Sequence, residues 1–151
     1  MSEVIMFGQL FLSALLGLVV GTERALVAKQ SAGMRTFALV SLGSCLFTLA
    51  GITVGGQYLG YVNFDPTRVM SAIVQGVGFI GAGLMFVQGS SVHGITTAAG
   101  LWVSAALGVL VGTGMYSLAI FAAALTLLIF FGLWYIEHAF KKWYHGHVED
   151  E

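Results

Sequence analysis

A carboxylate followed directly by a guanidinium, Glu23-Arg24, stands at the end of an apolar run, and a second guanidinium opens the next run in Gly33-Met34-Arg35-Thr36. Acid beside base with a hydroxyl near is the material of an ion pair, or of an anion site where helix N-terminal N–H groups lack partners. Further on, His93, Thr96 and Thr97 introduce another apolar run. If these runs are equivalent, Glu23, Arg24, Arg35, Thr36, His93, Thr96 and Thr97 gather at one level as a functional polar cluster, with Glu23 and Arg35 forming a partly desolvated pair. The plainer reading makes Arg24 and Arg35 topology charges with Glu23 as their surface counterion.

A second polar group is Asp65-Pro66-Thr67-Arg68, followed two turns later by Gln75. Asp before Pro suits a helix start, because the carboxylate caps free N–H groups and proline has none to lose at the first helical position. Arg68 and Gln75 share nearly the same helical face, so they could form a polar track; otherwise Arg68 snorkels to the surface.

Other patterns carry less. Gly76-Val77-Gly78-Phe79-Ile80-Gly81 matches a dinucleotide-binding spacing, but that motif needs a preceding strand and a solvated helix start, and here it lies within an apolar run. There is no Ser-His-Asp grouping at one depth and no His-x-x-x-His, so no catalytic residue and no cofactor is expected. His138, His145 and His147 form a weak metal pattern in an acidic end; the residues leave metal binding open. Cys45 has no intrachain partner and reads as a small buried apolar residue.

The elements that must hold these groups follow from composition. Of 151 residues, 58% are hydrophobic and only 9% charged, against about 25% charged in soluble domains. Net charge is −1, with no basic block longer than Lys141-Lys142, which excludes a nucleic-acid footprint. Glu3 occupies a position where a signal peptide wants a base, so the N-terminal run reads as a retained span. A helix needs about 20 apolar residues to cross about 30 Å of hydrocarbon. Stretches of that kind run from Val4 to Gly21, Thr36 to Val54, Arg68 to Val87, Ile95 to Thr113 and Tyr116 to Ile136. The expected architecture is an all-α membrane protein of about five transmembrane helices, with residues 1–136 in the bilayer and 137–151 as a short charged cytoplasmic tail.

Arg24, Lys29, Arg35, Lys141 and Lys142 fall on one side of that layout and only Arg68 on the other. The charge bias therefore places the N-terminus outside and the C-terminus in the cytoplasm, with Trp134, Tyr135, Trp143 and Tyr144 as an interfacial anchor. At an offset of 61, Gly17 falls on Gly78, Gly33 on Gly94, Thr36 on Thr97 and Gly51 on Gly112. That register suggests two parallel hairpin repeats plus a fifth helix.

Helices in lipid associate through small residues that let backbones approach. Gly100, Ser104, Gly108 and Gly112 recur at four-residue spacing; Ser13, Gly17 and Gly21 do the same, and Gly76, Gly78, Gly81 and Gly83 crowd the third run. The expectation is a tight core of spans one to four, with the bulky fifth span, rich in residues such as Ile129, Phe130 and Phe131, at the lipid-facing edge.

The ordered segments GLVVGTER, AGMRTFALVSLGSCLFTL, DPTRVMSAIVQGVGFIGAGLMF and VHGITTAAGLWVSAALGVLVGTGMY resemble the membrane domain of the MgtC/SapB family of bacterial inner-membrane proteins, over about residues 8 to 125. The resemblance implies a bacterial plasma-membrane protein linked to growth under magnesium limitation, to virulence and intracellular survival in pathogens, and to regulation of other membrane machinery, notably the F-type ATP synthase, better than it implies transport. Its motif positions here are Glu23, Arg24, Gly33, Arg35, Thr36, Asp65, Arg68, Gly78, Gly81, Gly83, Gly94, Thr96, Thr97 and Trp102. The chain departs at Ala25, where the family usually has a second acid, and at His93, where it usually has Arg; longer members also carry a soluble C-terminal domain.

Two further functions compete with a membrane regulator that binds a membrane-protein partner. Magnesium transport needs several oxygen ligands, yet Glu23 and Asp65 lie at opposite bilayer faces, each with an arginine within three positions. A homo-oligomer could still gather rings of either acid. The third function is binding of an anionic metabolite or lipid head group at the arginine-bearing rim.

Overall fold

The computed structural model describes residues 2–28, 30, 32–57 and 65–148, with side chains up to residue 132 and excepting Pro66. Its elements in chain order are α1 (Glu3–Leu26), α2 (Met34–Gln57), α3 (Pro66–Leu84), β1 (Phe86–Gln88), β2 (Ser91–His93), α4 (Ile95–Gly112) and α5 (Tyr116–Val148). The first four helices are each long and apolar enough to cross a membrane, and α5 is apolar over Tyr116–Gly132, as far as its described side chains reach. Helix is the form such runs must take in lipid, because it satisfies every backbone group within the segment.

The helix starts follow local chemistry. Asp65 caps α3 by accepting from Thr67 N–H, with proline in the first turn. By contrast α4 begins at Gly94, at φ 88 and without a capping side chain. A Cβ there would collide with the Leu84 carbonyl, so only glycine lets the chain turn so closely past the end of α3.

Three boundaries differ from expectation. α1 extends past Gly21 to Leu26, which brings Glu23 and Arg24 into its final turns rather than into a loop. Span three stops at Leu84 instead of Val87, and an antiparallel hairpin follows, pairing Phe86 with His93, Val87 with Val92 and Gln88 with Ser91. Its turn places Gly89 at φ 62; a left-handed glycine in the turn and the β-branched Val87–Val92 pair behind it favour a tight hairpin over continued helix. Finally, α5 continues as backbone helix through Val148, into the segment expected as a tail; the anchor aromatics and the tail histidines lie outside the described side chains.

The core is built from α1, α2 and α4. Gly17 and Gly21 face Phe37 at backbone distance, and Gly108 and Gly112 face Ser41 and Thr48 of α2. Ser104 Oγ donates to the Phe37 carbonyl at 2.7 Å. Thus α2 and α4 run parallel, side by side, beginning 61 residues apart at Met34 and Ile95. The repeat does not extend to packing, however. Gly17 abuts α2, but among the described residues nothing lies within 4 Å of a Cβ built on its counterpart Gly78, nor on Gly76 or Gly83. α3 touches the bundle through Ile73 and Val77, which are buried, and through Gly81, which meets Ala98 at 3.5 Å. An apolar groove of about 220 Å³, lined by residues such as Met70, Ile73, Trp102 and Val109, opens beside the contact of Ile73 and Val77 with Ala105 of α4. The third helix is therefore peripheral, and its glycines 78 and 83 form no seam with the described residues.

Candidate functional site: a buried acid–base pair

The end of α1 is pressed onto the start of α2 through small residues. A Cβ at Gly21 would come within 2.9 Å of the Met34 Cα, and one at Gly33 within 2.7 Å of the Ala25 Cβ. Ala25, where the resemblance expects an acid, is thus packed against glycine. Helix α1 closes with Val27 N–H and Ala28 N–H both on the Glu23 carbonyl, and Gln30 N–H on that of Arg24 at 2.8 Å. These bonds occupy carbonyls that a helix end otherwise leaves free.

Within this closure Glu23 is 1% and Arg24 6% exposed. Arg24 Nε donates to Glu23 Oε2, while Glu23 Oε1 has no hydrogen-bond partner among the described residues. The guanidinium lies 4.1 Å above the Phe130 ring of α5. Phe130 in turn meets α4 at Gly100, a Cβ on which would lie 2.7 Å from the ring. A buried charge pair flanked by an aromatic face is strongly held by geometry, although its desolvation offsets much of the attraction.

The expected cluster is only partly assembled. Thr97 is buried, one turn from Gly100; Thr36 is half-buried; Arg35, Thr96 and His93 are exposed. His93 stacks on Phe86 across the hairpin, with centroids 5.3 Å apart. The expected Glu23–Arg35 pair is replaced by Glu23–Arg24, because Arg24 stays inside the last turn of α1 while Arg35 points outward from the first turn of α2. At the other end Asp65 Oδ1 accepts from Thr67 N–H at 2.9 Å and from Thr67 Oγ1 at 2.6 Å. These two bonds, the hydroxyl's first, hold its carboxyl below the usual carboxylate range, with Arg68 adding to the effect. Arg68 and Gln75 do share a face, and among the described residues that face is exposed and turned away from the bundle.

Sequence reasoning missed two participants. Gln9, 3% exposed, donates through Nε2 to the carbonyls of Val111 at 2.9 Å and Gly112 at 3.4 Å, and its Oε1 is without a partner among the described residues. It sits four residues before Ser13, so the spacing that marks Ser13, Gly17 and Gly21 would have found it. Phe130 has no such signal: an aromatic in an apolar run gives no hint of which cation lies beneath it. Among the described residues no group of three or more His, Cys, Asp and Glu could hold a metal ion.

Comparison with known proteins agrees with this architecture. The chain is 41% identical over 123 residues to "Putative magnesium transporter YhiD" of Escherichia coli (strain K12), covering 80% of this chain and 57% of that protein. It is 42% identical over 115 residues to protein MgtC of Brucella abortus (strain 2308), covering 76% and 45%. With protein MgtC of Salmonella typhimurium (strain LT2) it shares 39% over 118 residues, covering 78% and 48%. The chain thus spans about half the length of the curated relatives it matches. No solved structure matches it. A family model described as the MgtC family matches residues 10–139, and with four helices fit to cross a bilayer the chain is a multi-pass membrane protein belonging to the MgtC family.

Proposed function

We propose that this chain is a non-enzymatic regulator in the bacterial inner membrane, acting by helix contact on membrane machinery such as the F-type ATP synthase during adaptation to low magnesium or to life inside a host cell. The observation that carries the reading is the state of the buried acid: Glu23 is held by Arg24 beneath Phe130. A carboxylate paired with a guanidinium is a poor ligand for a cation that demands several oxygens. The neighbouring seam supports the same reading, since α2 and α4 meet at backbone distance around Gly108 and leave no width there for a hydrated ion.

The name of the Escherichia coli relative, "Putative magnesium transporter YhiD", favours a second reading, magnesium transport. Purified protein in sealed liposomes with an internal Mg²⁺ indicator separates the two. The regulatory reading expects no flux above empty liposomes; robust flux that disappears in Glu23→Gln would replace it with transport.

A further inference from the structure

We infer that α3 is a self-association helix, pairing with α3 of a second copy of this chain about an axis along the membrane normal. The residues Arg68, Ala72, Gln75, Phe79 and Ala82 recur at alternating four- and three-residue steps and are all exposed. They lie about half a helical turn away from Ile73, Val77 and Gly81, through which α3 meets its own bundle. Alternating steps of that kind form the seam along which two helices pack knobs into holes.

Two groups on this face are badly placed for lipid. Gln75 stands midway along a membrane-spanning helix, where an amide without hydrogen bonds is costly. Phe79 is 84% exposed and is bordered by Gly76 and Gly83, whose surroundings are open among the described residues. Both features are self-complementary. At a two-fold axis each residue meets its own equivalent, and an amide is both donor and acceptor, so two Gln75 side chains satisfy each other. The glycine hollows on one copy receive the Phe79 ring of the other. At the helix start, Asp65 of one copy and Arg68 of the other bring opposite charges to one level. A different membrane protein would have to supply all three complements by itself; a second copy has them already.

The test is disulfide crosslinking of the full chain in native membranes, in a Cys45→Ala background. Ala72→Cys and Ala82→Cys keep both Gln75 and Phe79, and both should give a dimer-sized product. Phe11→Cys on α1 and Leu39→Cys on α2, equally exposed to lipid, should give several-fold less. Adding Gln75→Leu or Phe79→Ala to Ala82→Cys should lower the yield several-fold at unchanged protein level. Monomer alone at Ala72 and Ala82, equal yields at the α1 and α2 positions, or capture of a different protein at the α3 positions would each overturn the proposal.

Discussion

At Glu23 the interior of this protein holds a carboxylate with one oxygen bonded to Arg24 and the other without a partner among the described residues. Removing the cation should therefore do more harm than neutralising the anion. Arg24→Gln leaves a buried uncompensated charge and is expected to cost about 3 to 5 kcal/mol, whereas Glu23→Gln leaves a neutral acceptor beside Arg24 and should cost less. Phe130→Leu removes the aromatic face and should cost about 0.5 to 2 kcal/mol for the lost cation–π contact. Arg35→Gln, an exposed position, should fall within about 0 to 1 kcal/mol. Thermal unfolding of the four variants in one detergent checks the order; equal effects of Arg24→Gln and Arg35→Gln would show that burial plays no part. Asp65 provides a pH test at the opposite end. Its folded carboxyl is depressed by Thr67, so its contribution is complete above the unfolded-state value and is lost as pH falls through the folded one. Asp65→Asn should flatten the acid side of the stability profile, and an unchanged profile would remove Asp65 from the account.

Between elements, the decisive contacts are backbone to backbone. α4 lies on α2 so closely that any side chain at Gly108 would strike the Ser41 carbonyl. Gly108→Leu should therefore destabilise by about 1 to 3 kcal/mol, the usual range for overpacking, and reduce membrane yield. Gly43, on α2, where an added Cβ meets nothing within 4 Å among the described residues, is the control, and Gly43→Leu should be near neutral. If both substitutions shift the melting temperature alike, the α2–α4 seam is not what holds these helices. Gln9 belongs to the same level of organisation: its two bonds to the end of α4 tie α1 to α4, beside the apolar cluster of Val20, Phe37, Leu101 and Leu107 that joins the three helices.

For the whole molecule, the ends of α1, α3 and α5 and the starts of α2 and α4 share one side, which therefore carries Glu23, Arg24, Arg35 and the hairpin. The charge bias proposes that side as cytoplasmic. A reporter fused after Glu151 should then read as cytoplasmic and one inserted near Gly56 as external; the reverse pattern would put the acid–base pair on the outer face. Much of this architecture was legible in the chain. Apolar length and lipid's demand for satisfied backbone dictate helices, Asp65-Pro66 marks where α3 begins, and the spacing of Gly100, Ser104, Gly108 and Gly112 marks a close face, because periodicity is a local property. Which face meets which helix is not local. Gly78 and Gly108 are alike in sequence, yet one is open and the other lies on α2. Arg24 and Arg35 are equally good partners for Glu23 on paper, and the choice falls to Arg24 because α1 runs one turn further than its apolar pattern and α5 lays Phe130 across the guanidinium. Composition and period determined the membrane, the helices and their small faces; only the packing of distant segments decided which acid met which base and which faces were left for something else to cover.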